Sequence, residues 1–113
     1  MSPRREVALW VAQRASAAVL ALCVAVHLVT IIYAVRAGLG AAEILGRTRG
    51  SLGWGAFYSL FVIAAAVHGP IGLRTVAAEW LGLRGAVVDC ALVVAAVALA
   101  LGGMRAVLGV VGA

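Results

Sequence analysis

Three long apolar runs dominate the chain. The first, Val7 to Val35, is interrupted only by Gln13, Arg14, Ser16, His27 and Thr30. The second, Trp54 to Leu73, opens on an aromatic belt of Trp54, Phe57 and Tyr58 and closes at Arg74. The third runs from Ala86 to about Leu108 and has no polar side chain between Cys90 and Met104. Each run is long enough to cross ~30 Å of hydrocarbon at ~1.5 Å per residue, the first with length to spare for tilt. Lipid offers the backbone no hydrogen bonds, so runs of this length cross as helices. The pattern predicts an all-α membrane protein: three transmembrane helices over about 7–35, 54–74 and 86–108, one transmembrane domain over 1–113, forming part of a multi-subunit helical bundle.

The segments between the runs are wet. Ala37 to Gly53 holds five glycines with Glu43, Arg47 and Arg49, and Ala41 to Leu45 has room for one helical turn. Thr75 to Gly85 contains Glu79, Trp80 and Arg84 and reads as a short interfacial helix ending at Gly82 or Gly85. Trp10 and Tyr33 lie near opposite ends of the first run, where amphipathic rings settle at a membrane interface.

Composition agrees with the pattern. Of 113 residues, 65% are hydrophobic, against about half in a soluble domain. All nine basic residues are arginine, and four acids leave a net charge of +5. That charge, scattered over loops and helix ends, suits membrane lipid and the acidic groups of cofactors. It does not suit nucleic acid, because the arginines form no run and no aromatics interleave with them. With the N-terminus in the cytoplasm, five arginines (4, 5, 14, 74 and 84) face four (36, 47, 49 and 105), which favours that orientation by one charge. The first run exceeds the ~7–15 residues of a signal-peptide core, so it is expected to stay as a helix. Cys23 and Cys90 read as plain core residues. No Cys-x-x-Cys-His occurs, which argues against covalent haem attachment.

The chemistry concentrates in two histidines, His27 and His68, each set in apolar surroundings. An ionisable side chain within a membrane span marks a functional site by default. In paired membrane helices the leading use of such an imidazole is to ligate haem iron; the plain alternative is a hydrogen bond to a neighbouring helix. His27 lies six residues past the centre of its run, roughly 9 Å, and His68 four residues past the centre of its own, roughly 6 Å. The two helices run antiparallel, so the rings are about 15 Å apart along the membrane normal. One iron cannot take both. Either each serves a different haem, completed by another chain, or only one is a ligand. Gly69, Pro70 and Gly72 surround His68, and Gly72, one turn on, removes bulk where a flat macrocycle could lie. Arg74, roughly 9 Å nearer the interface, could reach a haem propionate.

Gln13, Arg14 and Ser16 form a second cluster, a turn inside the first run and beside Trp10. They read either as an interfacial anchor with a snorkelling arginine or as donors to the carbonyl oxygens of a quinone, Arg14 stabilising charge on the reduced form.

The segment His68-Gly69-Pro70-Ile71-Gly72-Leu73-Arg74, followed by Glu79, resembles the His-x-x-x-Gly-x-Arg segment of the cytochrome b membrane-anchor subunits of succinate dehydrogenase and fumarate reductase. Gln13-Arg14-Ala15-Ser16-Ala17 is similar to that family's His-Arg-x-Ser-Gly segment, with glutamine in place of histidine and alanine in place of glycine. The three-span layout and the length match as well. The resemblance implies that His68 is an axial haem b ligand and that Arg14 and Ser16 lie at a quinone site. A histidine at 27 is similar to the two-haem members, in which first- and second-helix histidines serve different haems. It further implies a multi-pass subunit of the inner (cytoplasmic) membrane that docks an iron–sulfur protein and a flavoprotein and passes electrons between them and quinone. One or two haems would be shared with a second anchor subunit or a second copy, since three helices rarely enclose a haem unaided. The rival readings are a haem-free structural anchor and a small multidrug-type transporter. The latter needs a carboxylate deep in a span, and Glu6, Glu43, Glu79 and Asp89 all lie at ends or in loops.

Overall fold

The computed structural model describes residues 2–112, so the ends of the expected domain at 1 and 113 lie outside the described residues. Among the described residues four helices follow one another: α1 (Pro3–Arg36), α2 (Ala41–Thr48), α3 (Leu52–Trp80) and α4 (Ala86–Val111). Three of them, α1, α3 and α4, are long and apolar enough to cross a membrane, and they contain the three runs seen in the sequence. All three extend beyond those runs. Ser2 caps α1, accepting from the Arg5 N–H at 3.3 Å, with Pro3 at the first helical position, where a missing N–H costs nothing. Ser51 does the same for α3, accepting from the Trp54 N–H at 3.1 Å.

Two connecting segments differ from expectation. Thr75 to Trp80 continues α3 instead of forming a separate interfacial helix. A helix already hydrogen-bonded through Arg74 gains one bond per added residue, whereas a new helix must nucleate. The ending near Gly82 does hold: this glycine takes φ +66°, and the Leu83 N–H turns back to the Ala77 carbonyl at 2.9 Å. The single turn expected at Ala41 to Leu45 extends to Thr48 as α2. Its end is tied to α4, whose last carbonyls have no partner within their own helix. The Thr48 hydroxyl donates to the Val110 carbonyl at 2.7 Å, and the Gly50 N–H donates to that of Val111 at 2.9 Å.

The central helix is α3, with α1 and α4 packed antiparallel against it. Small residues set the spacing. A Cβ on Gly103 of α4 would stand 2.5 Å from a methyl of Val62, and one on Gly69 would touch Leu99 at 3.7 Å. Facing α1, a Cβ on Gly72 would stand 3.2 Å from Gln13 Nε2. The buried apolar set is correspondingly small: Cys23, Ala64 and Val107. Cys90 departs from the core role expected of it, standing exposed on the outer face of α4. Most large apolar side chains also point outward, among them Leu22, Val94 and Leu101. That arrangement is stable in lipid or against other helices, not in water.

Candidate functional site

His68 lies on the α1-facing side of α3, half-buried. Its Nδ1 is 3.4 Å from the hydroxyl oxygen of Ser16 on α1. Ser16 is buried, and its hydroxyl donates to the Gln13 carbonyl at 3.1 Å. Residues three apart on a helix share a face, so Gln13 also meets α3, where its side chain occupies the space left by Gly72. That glycine therefore serves the close approach of α1 and α3. The bulk it gives up is taken by this chain's own glutamine, not left open for a macrocycle. The Gln13 Oε1 is buried without a hydrogen-bond partner among the described residues.

Arg14, one position on, turns outward, and its guanidinium stands 5.3 Å over the Trp10 ring. Trp10, Gln13 and Arg14 line one groove of about 400 Å³ together with Glu6, Arg74 and Thr75. Ser16 does not line it. The sequence cluster thus divides: Trp10, Gln13 and Arg14 share a cavity near the membrane edge, whereas Ser16 belongs with His68. Arg74, expected from sequence to reach a haem propionate, has a partner within the chain. Its Nε donates to Asp89 Oδ1 at 3.1 Å, and Asp89 also pairs with Arg5 at 3.5 Å. Asp89 stands in the first turn of α4, where the helix dipole favours a carboxylate. This trio joins α1, α3 and α4 at one end of the bundle. Its side chains are about a third exposed or more, and each such pair is worth at most about 1 kcal/mol.

His27 is half-buried at the other level. Its Nδ1 is 3.4 Å from the Tyr58 hydroxyl, and its ring meets Tyr58 and Phe61 edge-on at 5.8 and 5.7 Å. A groove of about 370 Å³ on one side is lined by His27, Tyr33, Arg47, Thr48, Trp54 and Tyr58. Arg47 donates to the Tyr33 hydroxyl at 3.2 Å, so the arginine at this level comes from α2. Sequence reading had placed Tyr58 in an interfacial belt and missed it, with Phe61, as a neighbour of His27. The signal was available, because these two stand three apart on α3 at the depth the antiparallel pairing assigns to His27. The pairing of Arg5 and Arg74 with Asp89 was missed too, and only the positions of all three near helix ends hinted at it.

The offset between the histidines holds in three dimensions. Ser16 is level with His68 and Tyr58 with His27. From Ser16 to His27 is eleven residues of continuous helix, about 16 Å. Among the described residues there is no group of three or more His, Cys, Asp or Glu able to hold a bare metal ion. Iron held in a porphyrin asks less of the protein, one axial side chain on each face.

Compared with known proteins, residues 1–104 match the family model described as succinate dehydrogenase/fumarate reductase transmembrane subunit. No curated protein and no solved structure matches the chain.

Proposed function

The chain belongs to the succinate dehydrogenase/fumarate reductase transmembrane-subunit family, and from that premise we propose that it carries haem b and passes electrons between a peripheral iron–sulfur and flavoprotein pair and a membrane quinone. The anchoring role follows from the family and from three membrane-spanning helices. The observation that carries the haem reading is the state of His68. Its Nδ1 is taken by Ser16, and among the described residues its Nε2 has no partner. Metal-bound histidines have this arrangement, with one ring nitrogen on the metal and the other on an oxygen.

When bound, haem b would supply a one-electron carrier whose potential depends on its protein ligands, its burial and the charges around it. His68 would hold one face of it. The opposite ligand would come from a second anchor subunit or a second copy, because His27 lies about 16 Å away along the helices. His27, with Tyr58 on its Nδ1, has a parallel arrangement suited to a separate haem at the other level. In the groove at the membrane edge, Arg14 would donate to a quinone oxygen and put positive charge where negative charge develops during reduction. Gln13 would border the same headgroup, since its side chain lines the groove, and Trp10 would cover the ring. The excess of arginine at the end holding Arg5, Arg14 and Arg74 supports an N-terminus on the cytoplasmic side of the inner (cytoplasmic) membrane.

One observation favours a second reading, a haem-free anchor: each imidazole already has a hydrogen-bond partner inside the chain. The visible spectrum of the purified complex separates the two. The haem reading expects a dithionite-reduced band of low-spin haem b that His68→Ala abolishes or shifts. A colourless, fully assembled complex establishes the anchor reading instead.

A further inference from the structure

We propose that Ser16 is a positioning residue for His68: its hydroxyl oxygen holds the ring in the tautomer protonated on Nδ1, leaving the Nε2 lone pair as the one that meets iron. This rests on the reading of His68 as a haem ligand. The argument follows a single proton. A serine hydroxyl has one hydrogen to give, and the Gln13 carbonyl can only accept. The contact between them is 3.1 Å, shorter than the 3.4 Å to His68, so the hydrogen goes to the carbonyl. A serine within an apolar helix makes this backward bond for want of water. Toward His68 the oxygen can then only accept, and Nδ1 must carry the ring proton. A neutral imidazole has one proton, so the lone pair is on Nε2. Ser16 is 7% exposed, which keeps water from displacing either contact.

The consequence is electronic as well as geometric. A ring N–H that gives a hydrogen bond to oxygen makes the other nitrogen a better donor to iron. More donation stabilises the ferric state and lowers the reduction potential. The serine of the first-helix motif therefore tunes the haem level, while Trp10, Gln13 and Arg14 of the same helix face the groove. Gln13 touches both, its carbonyl holding Ser16 and its side chain lining the cavity.

The test uses the complete complex with its partner subunits. Haem content, midpoint potential and the low-spin ferric resonance spectrum are measured for Ser16→Ala, Ser16→Thr and His68→Ala. Ser16→Ala is expected to retain haem, raise the potential and shift the largest g value, and Ser16→Thr to return both toward the starting values. An unchanged potential and unchanged g values in a haem-loaded Ser16→Ala complex overturn the proposal while leaving His68 as the ligand. If Ser16→Ala does not assemble, Ser16→Cys, close in shape but a weaker acceptor, is measured in its place. An upward shift supports the proposal, and its absence overturns it. An unaltered haem spectrum in His68→Ala removes the ligand reading and this inference with it. The two failures are therefore distinguishable.

Discussion

Polar side chains in this protein are few, and nearly every one near the candidate site has a definite task. Ser16 joins His68 to the backbone of α1, Gln13 fills the gap at Gly72, and Asp89 gathers Arg5 and Arg74. Arg14 differs from these because its guanidinium stands over an aromatic face, not against a carboxylate. Its charge is thus available to a ligand in the groove it lines. One hydrogen bond from a charged donor is worth about 1.5–3 kcal/mol. Arg14→Ala should therefore weaken quinone reduction by roughly 10- to 100-fold, since each 1.4 kcal/mol is a factor of ten. Steady-state assays over a range of quinone concentrations check this. An unchanged kcat/KM would return Arg14 to the role of an interfacial anchor. Haem content should not change, because Arg14 turns away from His68.

At the scale of helices, glycine position decides how the bundle packs. Gly102 and Gly103 are adjacent on α4 but meet different surroundings. A Cβ at 103 would stand 2.5 Å from Val62, whereas at 102 nothing lies within 4 Å. Val62 is β-branched and stiff on its helix, so it cannot swing aside as a long chain would. Gly103→Ala should cost about 1–3 kcal/mol, the usual range for overpacking a close contact. Gly102→Ala should be neutral or slightly stabilising, since alanine is the better helix former. Thermal unfolding of the two variants in the same detergent compares them directly, and equal melting temperatures would show that α3 and α4 do not pack as closely as described. The short helix α2 acts at the same scale. It brings Arg47 beside Tyr33 and closes the exposed end of α4 through Thr48.

As a whole, the molecule is an elongated helical bundle, 49 × 24 × 24 Å, with little interior of its own. The buried share of its three membrane-spanning windows runs from none to 17%. With so little self-burial, its helices are suited to contact other helices as well as lipid. The offset of the histidines makes the same point: the rings lie about 16 Å apart along the helices, so a single haem iron could not take both. Expressed without partner subunits, the chain should insert in the membrane yet hold far less haem b per chain than in the complex. Reduced-minus-oxidised spectra of membranes containing equal amounts of the chain measure this. Full haem occupancy in the isolated chain would point to a symmetric pair of copies as the binding unit.

Much of this was legible in one dimension. The length of the apolar runs set the number of spans, because lipid thickness and helical rise are fixed quantities. The same rise placed His27 and His68 at different depths before any packing was known. The segments around Gln13 and His68 were enough to identify the family. Rotation about each helix axis could not be read. A helix apolar on every side carries no stripe that says which face turns inward. So the direction of Ser16 toward His68, of Gln13 onto Gly72 and of Tyr58 against His27 was decided only when α1 packed on α3. Those contacts depend on which side chains interlock at a helix crossing. They are a property of pairs of helices, and no single run of residues contains them.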